Sequence, residues 1–86
     1  GLGKNFNLMI ECNADQSHKD FDKILNSLKK ICYEAEMIKI EKQDSSMMLF
    51  FKISFDKSDN LKLLINNLEK EFTGIKYSLY ENKTVD

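Results

Sequence analysis

Met47-Met48-Leu49-Phe50-Phe51-Lys52-Ile53-Ser54-Phe55 alternates without interruption. In extended backbone, successive side chains point to opposite faces, so Met47, Leu49, Phe51, Ile53 and Phe55 share one side. Met48, Phe50, Lys52 and Ser54 share the other. One face is apolar at every position and the other is mixed. That pattern predicts a central strand with a helix layer over its apolar face.

The same alternation recurs on either side of this stretch. Asn5 to Cys12 reads as a first strand, with Phe6, Leu8, Ile10 and Cys12 inward and Asn5, Asn7, Met9 and Glu11 outward. Met37 to Lys42 reads as a short strand with Ile38 and Ile40 inward and Lys39 and Glu41 outward. The polar link Gln43 to Ser46 suits a hairpin into the central strand. Ile75 to Tyr80 reads as a last strand, with Ile75, Tyr77 and Leu79 on one face and Lys76, Ser78 and Tyr80 on the other.

Two segments carry helical spacing instead. From Ser17 to Ala35, the residues Phe21, Ile24, Leu25, Leu28, Ile31, Cys32 and Ala35 form one stripe. Ser17 with Asp20 makes an acidic variant of a capping box, and Asp15 is the alternative cap. From Asp59 to Phe72 the stripe is Leu61, Leu64, Ile65, Leu68 and Phe72, with Leu63 off it and Ser58 or Asp56 as cap. Gly74 is placed to end this helix.

The predicted order is β-α-β-β-α-β, and its halves echo each other. Phe21, Ile24, Leu25, Asn26 and Leu28 correspond to Leu61, Leu64, Ile65, Asn66 and Leu68 at a constant offset. Two split β-α-β units with right-handed crossovers give a ferredoxin-like two-layer α+β sandwich. Its antiparallel sheet has order 4-1-3-2, with both helices on one face. All 86 residues are assigned to this single domain, with residues 1–4 and 82–86 as flexible ends.

Composition narrows the function classes. The formal charge is −1 and every basic residue is Lys. Nucleic-acid and phosphate sites favour the planar fork of Arg, so no nucleic-acid partner is expected. An RNA-binding module of this topology would stack bases on outward aromatics of the first and third strands. Phe50 faces outward, but its expected neighbour on the first strand is Met9. Cys12 and Cys32 have neither metal-site nor redox-pair spacing and read as buried free thiols. His18 is the single His and has no local partner set for nucleophilic catalysis. No catalytic residue, metal site or cofactor is predicted, and the chain is not expected to be an enzyme. An acylphosphatase-type activity on this topology relies on a phosphate-loop Arg, which the chain lacks.

Met9, Met48, Phe50 and Tyr80 remain as a candidate interaction face. Contiguous exposed apolar surface marks protein contacts, and Met adapts to them. The competing reading is an ordinary patch screened by the stems of Lys39, Lys52 and Lys76. The Lys-rich helix faces read as solvated surface, with Asp20 and Asp22 interspersed.

The strand–helix pattern from Phe6 to Tyr80 and its repeated halves resemble the ACT-like group of small regulatory domains. That group binds amino acids at the loop after the first strand, with Gly and often Pro there. The loop here is Asn13-Ala14-Asp15-Gln16-Ser17, with neither, and Asn13, Asp15 and Ser17 are its candidate ligand residues. The non-Met start and a strand opening almost at once at Asn5 also resemble the C-terminal domains of MgtC/SapB-type bacterial membrane proteins. These resemblances imply a cytoplasmic regulatory or assembly domain that contacts itself or its parent protein. They would place any membrane contact in segments outside this chain. The alternative they imply is a sensor of amino-acid-like small molecules.

Overall fold

A computed structural model describes residues 4–15, 17–57, 59–72 and 74–83, with only the backbone of residues 17–19. The expected capping side chains Ser17 and Ser58, and the His18 side chain, lie outside what is described. Six elements follow in order: β1 (Asn5–Asn13), α1 (Ser17–Ile31), β2 (Glu34–Gln43), β3 (Ser46–Ser54), α2 (Asp59–Glu71) and β4 (Lys76–Glu81). The strands form one antiparallel sheet in the order β2-β3-β1-β4. This is the ferredoxin-like α+β sandwich, and the two most apolar strands, β1 and β3, are central as expected.

One continuous core holds the layers together. Leu8, Ile10 and Cys12 of β1 and Leu49, Phe51 and Ile53 of β3 meet Ile24, Leu28, Leu64 and Leu68 of the helices. The echoed positions Ile24 and Leu64, and Leu28 and Leu68, are all fully buried. The forty-residue offset therefore brings equivalent helix turns onto one side of the sheet. Phe6 and Phe55 close the end of the core edge-to-face, with ring centroids 5.7 Å apart. Leu63 lies off the α2 stripe and is exposed.

The ends of the sheet are tied by backbone bonds. Phe55 N donates to the Lys4 carbonyl at 3.4 Å, and Asn82 N donates to the Asn5 carbonyl at 2.8 Å. Lys4 and Asn82, assigned to flexible ends by the sequence, thus both belong to the hydrogen-bonded frame. Residues 1–3 and 84–86 lie outside the described set.

Two expectations require correction. The first helix stops at Ile31, not Ala35. Cys32 N makes the last bond of the helical type, to the Leu28 carbonyl, and Tyr33 N already donates to Ser54 of β3. Beyond it, Glu34-Ala35-Glu36-Met37 alternates exposed and half-buried, so Ala35 belongs to β2. The second correction concerns Ile38 and Ile40, expected inward but 56 % and 48 % exposed. Ala35 and Met37 pair with Ile53 and Phe51 on the helix side of the sheet, and Ile40 pairs with Leu49 on that same side. Period-two alternation cannot place residues 37 and 40 on one face. The strand inserts one residue, Ile38, as a β-bulge. Ile40 keeps the inward side but lies on the edge strand, where the helix layer leaves it half open.

The β2–β3 hairpin turns at Asp44-Ser45, and Asp44 takes φ 55°. That left-handed conformation costs an L-residue about 1 kcal/mol and Gly almost nothing. Asp44→Gly is expected to raise stability by roughly 0.5 kcal/mol, and the β-branched Asp44→Val to lower it by roughly 1–2 kcal/mol. Urea midpoints of the three proteins check the ranking.

Candidate functional site

Both helices cover the same side of the sheet, so its other side has no layer over it. Register fixes what stands there, in three central rows across β2, β3, β1 and β4. The first row is Glu36, Lys52, Asn7 and Tyr80; the second is Lys39, Phe50, Met9 and Ser78; the third is Glu41, Met48, Glu11 and Lys76. Phe50 and Met9 are direct cross-strand partners at the middle of the sheet. Met48 lies beside Phe50 on β3, and Tyr80 stands opposite Asn7, one row from Met9 and 59 % exposed. The structure thus brings the four predicted residues onto one face, with Phe50 and Met9 at its centre and Tyr80 toward the β4 edge.

Charges frame this apolar centre. The Lys39 ammonium lies 4.6 Å from the Phe50 ring centroid and 2.9 Å from Glu41 Oε1. At an exposed position such a cation–π contact is worth roughly 0.5–1 kcal/mol. The bulge at Ile38 sets this arrangement, because it restores Lys39 and Glu41 to the open face after Met37 has pointed to the core. Beyond the first row, where Glu34, Ser54 and Asn5 pair across β2, β3 and β1, these residues with Glu36, Lys52 and Ile53 line a shallow depression.

The loop after β1 offers less. Asn13 Oδ1 accepts a bond from Asp15 N at 2.9 Å, and Ala14 N donates to the Ser45 carbonyl at 2.7 Å. These groups brace the loop against the β2–β3 hairpin. Asn13 and Asp15 are exposed, and the Ser17 side chain lies outside the described residues.

Both cysteines are buried and free. Burial pushes the Cys32 thiol up to about 12. Burial also raises Cys12, helped by the negative charges of Asp20 and Glu11. Thiols held in this way are protonated at neutral pH and are poor nucleophiles and ligands. Among the described residues, no group of three or more His, Cys, Asp or Glu side chains could hold a metal ion.

Three polar ties escaped the sequence reading. Ser27 Oγ, buried on α1, donates to Glu71 Oε2 of α2 at 3.2 Å, beside an open groove between the helices lined by Lys23, Asn26, Lys30 and Asn67. Asn60 Nδ2 donates to the Ile31 carbonyl at 3.3 Å and so caps the end of α1 from the start of α2. Tyr77 Oη donates to Glu69 Oε1 at 3.0 Å. That bond, then burial, then the Glu69 charge hold the phenol above its ordinary range. Each tie joins residues whose proximity depends on the packed layers, so no local pattern signals it.

The fold and its uncovered face define an open-faced α+β sandwich. No family model matches the chain, and no curated protein matches it. Solved structures do. An uncharacterised protein from Thermotoga maritima aligns with TM-score 0.65 at 12 % identity, covering 94 % of this chain and 99 % of its own. The C-terminal domain of the MgtC protein from Mycobacterium tuberculosis aligns with TM-score 0.64 at 14 % identity, covering 95 % and 89 %. A dimeric ferredoxin-like protein from an uncultured marine organism aligns with TM-score 0.54 at 12 % identity, covering 98 % and 97 %. At these identities the likeness establishes the fold alone. Among the described residues, no helix is long and apolar enough to cross a membrane.

Proposed function

We propose that this chain is a non-enzymatic regulatory or assembly domain that works through protein–protein contact at the open face of its sheet. The observation that carries this reading is the central Phe50–Met9 pair, flanked by Met48 and Tyr80, on a face that no helix covers. Adaptable Met and a large aromatic at the middle, with charged side chains around them, suit a contact surface. The fold likeness to the MgtC C-terminal domain supports a finer form of the reading. In that form the domain is ACT-like, lies on the cytoplasmic side of a bacterial membrane protein, and contacts its parent protein or another copy of itself.

Sedimentation equilibrium from low micromolar to near-millimolar concentration tests the reading. The wild-type chain is expected to associate reversibly, and Phe50→Glu to weaken that association by about 30-fold or more, as for the loss of a central anchor. A dimer indifferent to Phe50→Glu would move the contact to the edge strands β2 or β4. An amino-acid-like sensor would instead show amide shifts confined to residues 13–17 on titration with the twenty amino acids.

A further inference from the structure

The open face is self-complementary in one orientation. We propose that its occupant is a second copy of this chain, related by a two-fold axis parallel to the strands, with Glu41 of each copy against Lys76 of the other. This rests on the reading of that face as a contact surface, and adds the partner and its geometry.

The argument comes from the three rows. A two-fold axis parallel to the strands, placed between β3 and β1, preserves each row and reverses the strand order. It sets β3 on the second copy's β1, and β2 on its β4. Phe50 then covers the other copy's Met9, and Met9 covers its Phe50. Glu41 meets Lys76, Glu36 meets the Tyr80 hydroxyl, Lys52 meets Asn7 and Lys39 meets Ser78. Each of these contacts occurs twice by symmetry. Glu11 faces Met48 and keeps Lys76 of its own chain as its cross-strand neighbour. No like charges are opposed.

The other face-to-face two-fold that keeps the strands of the two sheets aligned runs perpendicular to them. It preserves strand order and reverses the rows. It would set Lys39 on Lys39 and Glu36 on Glu41 twice over. Like-charge contacts of that kind are what interfaces avoid. The pattern therefore selects one of the two symmetric arrangements. A surface shaped only for an unrelated protein has no need of this self-complementarity.

The size of the face sets the strength. Four strands about 4.8 Å apart and three to five rows about 6.8 Å apart offer roughly 500 Å² per copy. Roughly 1,000 Å² in total is at the lower end of what specific interfaces bury. A reversible dimer follows, populated at micromolar concentrations and above. Aligned packing of two sheets, with strands within about 30° of each other, accommodates the pairing.

Charge exchange tests the geometry. Glu41→Lys and Lys76→Glu, each checked for native circular dichroism, are each expected to weaken the homodimer about tenfold, because each opposes like charges twice. In an equimolar mixture of the two variants, the lysine introduced at position 41 meets the glutamate introduced at position 76 at one symmetric contact. At the other contact, the natural Lys76 meets the natural Glu41. Sedimentation equilibrium of that mixture is expected to recover wild-type association within about threefold. A mixture that stays dissociated, while Phe50→Glu still disrupts the wild-type dimer, would overturn the axis and leave the open-face reading standing. A dimer unaffected by Phe50→Glu would remove that reading and the inference together. A wild-type chain that is monomeric at millimolar concentration would overturn the second copy as occupant.

Discussion

Phe51→Ala is expected to lower the stability of the fold by about 3–5 kcal/mol, well above the loss from Phe50→Ala. The two residues are adjacent in sequence and opposite in environment. Phe51 is fully buried at the middle of β3, directly opposite Leu8 of β1 and Met37 of β2. Truncating a buried Phe removes its transfer free energy and leaves a cavity that neighbours fill only in part, at a cost of about 3–5 kcal/mol. A domain of this size has a total stability of roughly 4–13 kcal/mol. The loss therefore approaches the whole of it at the lower end. Phe50 stands on the uncovered face, half-buried, touching Met9 and the Lys39 ammonium. Its truncation is expected to cost less, about 1–2 kcal/mol, because the ring keeps part of its area in solvent and no helix layer closes a cavity over it. Urea denaturation followed by circular dichroism measures both. Equal losses at the two positions would contradict the assignment of faces on which the candidate site rests.

The second large effect concerns the thiols. Cys32 is held near 12, against an ordinary value of 9.0, by burial. A rise of that size suppresses the reactive thiolate by orders of magnitude at any pH below both values. Labelling of Cys32 by an aromatic disulfide reagent at pH 8 is expected to be slower by orders of magnitude in the folded protein than in denaturant. The direction of the pH dependence follows from the same shift. The folded value lies above the unfolded one, so the unfolded chain releases its proton first as alkali is added. The stability held by the neutral thiol is complete below pH 9 and is lost as pH climbs from 9 toward 12. A urea midpoint that is flat between pH 7 and 8.5 and falls above pH 9, less steeply in Cys32→Ala, is the expected outcome. Rapid labelling of native Cys32 at pH 8 would show that the thiol is open to solvent.

The layers of the fold were legible because two periods do not mix in this chain. Met47–Phe55 and Asn5–Cys12 alternate cleanly, and the helical stripes at Ile24 and Leu28 and at Leu64 and Leu68 keep their spacing. The end of α1 was not legible. Ile31, Cys32 and Ala35 extend the apolar stripe, and no Gly or Pro punctuates the exit. The helix ends because the Tyr33 backbone finds Ser54 on β3, a tertiary event. The bulge was hidden for a similar reason. Ala35, Met37 and Ile40 cannot share a face by alternation, and only pairing with β3 reveals that Ile38 is the inserted residue. The members of the candidate site were legible, since Met9 and Phe50 lie on the two most apolar strands. Their charged frame was not, because the self-complementary rows require the register of all four strands at once.

The bulge also bears on how far the sheet can extend through its borders. Endless side-by-side addition needs two compatible borders per molecule, one to receive a neighbour and one to offer the next. On β2, the inserted Ile38 breaks the ladder, and Lys39, Glu41 and Lys42 crowd the strand with charge. The border at β4 is regular through its six residues. A molecule with one serviceable border and one spoiled one terminates any chain of strands after a single joining, border to border. The extra residue in β2 thereby acts as a stop against fibre growth, at the expense of one exposed isoleucine.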